Sequence, residues 1–192
     1  WIIDPEVRYI EGKVTSYFVP KEEGFRQIHF ELSDSLSVSQ ARYRGQALPF
    51  AQLDGDLLQI ELPEALPVGR LDSISVIYEG VPPQTAFGSF VQETHGEAGT
   101  PVIWTLSEPY GAKDWWPCKQ DLNDKIDSID VWVRTPAACR VASNGVLVRE
   151  ITEGDEKIYY WKHRYPITAY LIAVGVTNYA VFSDFVPIEN GD

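Results

Sequence analysis

The chain has 192 residues, ordinary apolar and charged fractions and a net charge of −12. At this length roughly 70% of the unfolded surface can be buried, so a substantial core is expected. The acidic balance, with no basic tract, excludes a nucleic-acid partner that would need phosphates neutralised, and no apolar run is long enough for a membrane span. Methionine is absent even at position 1, which reads as a piece of a longer coding sequence.

Strand signals dominate from the start. Residues 9–20 are rich in β-branched and aromatic side chains and stop at Pro20. In 26–33, Ile28, Phe30 and Leu32 alternate with polar neighbours, the pattern of a half-buried strand. Another strand is expected over 37–45. An Asp54-Gly55 turn leads into 57–63, predicting a hairpin, and Ile74, Val76 and Tyr78 alternate within 71–80. Residues 81–101 carry three prolines and three glycines and are expected to form a long surface loop. Residues 102–107 form a short strand that delivers the chain to Glu108. Beyond it, Ile129, Val131 and Val133 share one face of a strand, two short strands flank Asn144-Gly145, and 156–166 pairs back after a Glu153-Gly154-Asp155 turn. The apolar run 169–176 is read as one buried strand, with another following to Phe185. Roughly ten strands at short spacing with almost no helix predict an all-β fold of antiparallel sheets packed face to face. No boundary is visible, so 1–192 is read as a single domain.

Few constellations carry chemistry. His29, His95 and His163 are scattered, and no H-E-x-x-H pattern exists, so no zinc cage of three or four ligands is expected here. There is no G-x-S-x-G elbow. Residues 121–127 lack the glycine and closing glutamate of an EF-hand loop and read as a solvated acidic turn. Cys118 and Cys139 are too few for a disulfide scaffold; they are read as two buried thiols, with a single disulfide as the alternative. What stands out is "TLSEPYGAKDWWPCKQD", 105–121. Glu108 comes at the end of a strand, ahead of a proline that biases its backbone to extended conformations. A carboxylate so placed can hold a cation by a charge-assisted bond, or it is one more solvated surface residue. Trp115 and Trp116 in turn suit a core or an interface better than a ligand.

This segment resembles the signature of the N-terminal domain of the aminopeptidase N family of zinc metallopeptidases, to which leukotriene-A-hydrolase-type enzymes also belong. Thr105 opens it, Glu108-Pro109 follow at the family's spacing, and seven residues separate Pro109 from Pro117-Cys118. Ala112-Lys113 stand where the family often has Ala-Arg, Trp116 stands at its aromatic position and Lys125 at its lysine. Leu106 departs from the usual glutamine, and residues 119–122 depart from the usual aromatic-Asp-Glu-Pro. The resemblance extends over nearly the whole chain, through residues 4–18, 141–148 and 165–179. It implies a saddle-like arrangement of antiparallel sheets. It also implies that Glu108 binds the α-amino group at the peptide substrate's N-terminus, and that the chain caps an active-site cleft formed with the enzyme's own catalytic domain. The zinc ligands and general base would lie in that domain, expected after residue 192 with its H-E-x-x-H motif. No catalytic or metal residue is assigned to this chain, which alone is expected to be inactive. The tryptophan-rich variant of the segment tilts the expected location towards export, periplasmic or extracellular. Two other readings compete. One is a stand-alone β-sandwich binding module, for instance for carbohydrate, built on the abundant tryptophan and tyrosine; the other is a structural spacer.

Overall fold

The computed structural model describes residues 1–85 and 88–184. Its strands are β1 (Ile10–Phe18), β2 (Phe25–Glu31), β3 (Leu36–Tyr43), β4 (Gln46–Leu48), β5 (Phe50–Leu53), β6 (Leu57–Leu66), β7 (Asp72–Gly80), β8 (Ser89–His95), β9 (Thr100–Leu106), β10 (Ile129–Pro136), β11 (Arg140–Ser143), β12 (Val146–Glu153), β13 (Glu156–His163) and β14 (Val174–Thr177). Helix among the described residues is confined to two short 3-10 turns, Ala112–Asp114 and Ala169–Leu171. All strand pairings in the sheets are antiparallel, in the orders β1-β7-β3-β4, β10-β13-β12, β11-β14-β9-β8 and β2-β6-β5. The N-terminal segment stitches the first two together: Ile2 bridges both Glu11 and Arg134.

The alternation read from the sequence decides what is inside. Ile28, Phe30 and Leu32, then Ile74, Val76 and Tyr78, then Val131 and Val133 are all buried, and they join in one core with Leu36, Leu58, Ile60, Phe90 and Ile103. The Asp54-Gly55 turn closes the β5–β6 hairpin as expected, with Leu53 facing Leu57. The positive φ of Gly55 and Asp56 suits such a turn.

Two expectations are corrected. The supposed loop over 81–101 holds a hairpin: β8 pairs with β9 from Ser89↔Leu106 to His95↔Thr100, and Phe90 is fully buried. Its glycines sit at the tip, where Gly96 and Gly99 take positive φ. Pro101 lies in β9 opposite Thr94. The expected loop also included residues 86 and 87, which lie outside the described residues. The run 169–176 is not one strand. A 3-10 turn occupies its first part, only Val174–Thr177 pairs, and no strand follows over 178–184. The expected end of that second strand, Phe185, lies outside the described residues. Within 169–176, Ala169, Ile172, Val174 and Val176 are buried as expected but Leu171 is exposed, and the interior is reached without extended pairing throughout.

Candidate substrate-facing turn

Strand β9 ends at Leu106, and the chain turns over residues 107–111 into the 3-10 turn at Ala112–Asp114. The turn is fastened at its base. Gly111 N donates to Ser107 O at 2.8 Å, and the buried Trp115 Nε1 donates to Ser107 Oγ at 2.8 Å. Trp115 itself is fixed through its carbonyl, which accepts from Tyr78 Oη at 2.8 Å, and Tyr78 in turn accepts from Trp1 Nε1 at 2.9 Å. The Trp1 and Trp115 rings are 4.8 Å apart. Burial pushes the Tyr78 phenol well above its usual pKa, so it stays protonated and keeps donating.

A second tie runs from β8. Ser89 Oγ donates to the buried carboxylate of Asp114 at 2.5 Å. Gly111 packs so closely on Ser89 that a Cβ there would overlap Ser89 Oγ and lie 3.2 Å from Ser107 Cα. Burial raises the Asp114 pKa, only partly offset by the Ser89 bond and by Lys113. Next to it, Lys113 forms an ion pair with Asp56 on the β5–β6 turn. That hydrogen bond raises the Lys113 pKa. On Asp56, burial pushes upward, but the bonds from Lys113 and from Asp34 N prevail and its pKa is lowered. Cys118 completes the base. It exchanges backbone hydrogen bonds with Glu31, at 2.8 and 3.0 Å, and burial raises its thiol pKa. Both cysteines are free, but of the two thiols expected to be buried only Cys118 is; Cys139 is half-buried.

On this base Glu108 is exposed, joined to Pro109 by a cis peptide bond, and its carboxylate has no hydrogen bond or ion pair among the described residues. Two residues away in the chain on either side, Leu106 (39% accessible) and Tyr110 (57%) are exposed apolar side chains. Trp115 and Trp116 are 0% and 6% accessible, so they form the floor of the turn and offer no docking face of their own. The apolar rim of Leu106 and Tyr110 escaped the sequence reading. Its signal was there, since a strand end that places large apolar side chains either side of a lone carboxylate cannot bury all of them.

The histidines stay apart. His29 meets Gln59 on an exposed sheet face, His95 hydrogen-bonds Thr177 at 2.8 Å, and His163 lies edge-on to Tyr165. The 121–127 turn is closed by Asp121, which accepts from Asn123 N, while Asp124 pairs with Lys119. Among the described residues no three His, Cys, Asp or Glu side chains are grouped to hold a metal ion. The described residues therefore offer no donor set that a zinc ion would fit.

No family model and no curated protein sequence matches the chain. Solved structures do. An M1 zinc metallopeptidase from Deinococcus radiodurans superposes with a TM-score of 0.78 at 25% identity, over 92% of this chain and 40% of that one. This chain has the fold of the N-terminal domain of an M1 zinc metallopeptidase. A mutant of the Deinococcus enzyme bound to a Tyr-Ser-Ala substrate gives the same TM-score, identity and coverage. Leukotriene A4 hydrolase from Saccharomyces cerevisiae shares the fold at a TM-score of 0.66 and 18% identity, over 88% of this chain and 26% of that one. The chain thus spans two fifths or less of these solved structures.

Proposed function

We propose that the chain is the N-terminal domain of a zinc-dependent aminopeptidase, which removes N-terminal residues from peptides. In this reading it caps the active-site cleft, and Glu108 receives the substrate's α-ammonium group. One observation carries the reading: a carboxylate with no hydrogen bond or ion pair among the described residues stands on a turn whose base is locked by buried hydrogen bonds. Evolution or chance can leave a surface glutamate unpaired, but a surface glutamate needs no such foundation. An anionic acceptor held in place suits an ammonium, and the bond strengthens once a facing domain displaces water. It also sets register, because an amine fixed at Glu108 leaves only the first peptide bond within reach of the reacting centre. Leu106 and Tyr110 then give the first residue of the peptide apolar walls.

Support comes from the fold neighbours, which are zinc metallopeptidases, one of them bound to a tripeptide substrate. The zinc belongs in a companion domain after residue 192. When bound there it would supply Lewis-acid activation of water; the role of this chain is to bind and orient. Export to the periplasm or the extracellular space goes with this reading. The carbohydrate-module alternative would lean first on the exposed Trp132. That indole, however, lies flat on Tyr160 at 4.0 Å and 5°, which is the geometry of a cross-strand pair.

The test uses the enzyme that carries this chain. Glu108→Ala is expected to raise KM for aminoacyl reporter substrates roughly ten- to hundredfold, the worth of one hydrogen bond to a charged group. Glu108→Gln should lose less. Unchanged kinetics in both variants would overturn the assignment.

A further inference from the structure

Strand β12 ends the β10-β13-β12 sheet, and its free edge is uncovered by any described strand. Every residue from Val146 to Glu153 is exposed except the half-buried Ile151. Such an edge carries a row of unpaired backbone groups and is a template for another strand. A register shift between Leu147 and Arg149 breaks its first part, leaving Arg149–Glu153 as the regular stretch.

The face that this stretch presents is set by its pairing with β13. Arg149 lies opposite Tyr160, Ile151 opposite Ile158, and Glu153 opposite Glu156. On the far side of β13, Trp132 is opposite Tyr160 and Arg134 opposite Ile158. The buried Val131, Val133 and Tyr159 point the other way, into the core. The outer face thus carries an apolar strip of Trp132, Tyr160, Ile158 and Ile151 that runs out to the free edge at Ile151.

We infer that this edge pairs with the same edge of a second copy, β12 against β12 about a two-fold axis through Ile151. An antiparallel joint between identical edges puts the two-fold axis perpendicular to the sheet, so outer-face residues must meet outer-face residues. That restricts the register to axes passing through a residue. An axis at Arg149 sets arginine against arginine, and one at Glu150 sets glutamate against glutamate, both destabilising for directly opposed like charges. An axis at Thr152 sets Ile151 against Glu153. The axis at Ile151 sets Arg149 against Glu153 twice, Glu150 against Thr152 twice, and Ile151 on itself. It also continues the apolar strip across the joint, Ile158–Ile151 from each copy. Arg149 has no ion pair among the described residues, and Glu153 already accepts from Arg134 through one oxygen only, at 3.0 Å. The contact is isologous and closes at two copies. It is independent of the role given to Glu108.

Sedimentation velocity of the chain over a rising concentration series tests this. The expected result is a shift to twice the 21.7 kDa chain mass, with nothing larger. Arg149→Glu should weaken the dimer tenfold or more, because it opposes like charges at two places. The double variant R149E/E153R should restore it, since both pairs are then reversed. All these positions are on the surface, and equal thermal melts would show that the fold is kept. Backbone hydrogen exchange gives a second readout, with protection of residues 149–153 growing with concentration. A chain that stays monomeric, a dimer indifferent to Arg149→Glu, a double variant that fails to re-associate, or protection of the edge that ignores concentration would each overturn the inference.

Discussion

Trp115 Nε1 donates to Ser107 Oγ at 2.8 Å, one residue before Glu108. Both partners are buried, so neither can turn to water. The two ways of breaking the bond should therefore differ. Trp115→Phe keeps most of the ring and removes the donor, leaving a hydroxyl that can rotate; it should cost about 1 kcal/mol beyond the change in packing. Ser107→Ala strands the indole N–H in the interior and should cost about 1–3 kcal/mol. Urea denaturation of both variants and of the double variant measures the coupling. A coupling near zero would mean the bond does not hold the turn.

Glu108 should behave in the opposite way. It is exposed and has no partner among the described residues, so Glu108→Ala should change the stability of the chain by no more than about 0.5 kcal/mol, the usual range for surface substitutions away from special features. A thermal melt checks it. Neutral stability joined to a raised KM separates a binding residue from a structural one, whereas a large loss of stability would show an intramolecular role for the carboxylate.

Most of the sheet framework was legible because it follows from alternation. Ile28, Phe30 and Leu32, or Ile74, Val76 and Tyr78, can all reach the core only as strands. The β8–β9 hairpin was not legible. Only Phe90 of β8 is a large, fully buried apolar side chain, and Gln92 to His95 are polar, so the strand exists through backbone pairing with β9 that no local pattern reports. The 3-10 turn at Ala169–Leu171 failed for the converse reason: an apolar run shows that a segment is buried but not how its backbone runs. Of the candidate site, Glu108 was visible through its setting in the segment 105–121, and the buried tryptophans through their bulk. The tie between Ser89 and Asp114 joins residues far apart in sequence and could be seen only once β8 was laid beside the turn.

Gly111 tests how tightly that tie is packed. Its φ of −93° is open to any residue, so a substitution there meets crowding and no backbone strain. Gly111→Ala would drive a methyl group into Ser89 Oγ. Overpacking of this kind costs about 1–3 kcal/mol. Pairing it with Ser89→Gly removes the obstructing side chain, and the positive φ of Ser89 suits glycine. The pair should then be less destabilised than the sum of the two single variants. Strict additivity in chemical denaturation would show that the two residues do not press on each other.

Two carboxylates beneath the turn should respond to pH with opposite signs. Burial raises the Asp114 pKa, so the folded chain binds its proton more readily than the unfolded chain does. Between the unfolded value, about 3.9, and the raised folded value, stability from this group falls as pH rises. Asp114→Asn removes that penalty while leaving an oxygen to accept from Ser89. Its stability relative to the parent chain should therefore improve as pH rises from about 4 to 7. The Asp56 pKa is lowered, because its hydrogen bonds outweigh burial. Its contribution is fully present above the unfolded value and is lost as pH falls through the folded one. Asp56→Asn should thus be less stable than the parent at neutral pH, and the gap should close on acidification. Denaturant midpoints of both variants, measured across this range, carry the test. A difference for Asp114→Asn that is flat with pH would show that burial does not control the ionisation of Asp114.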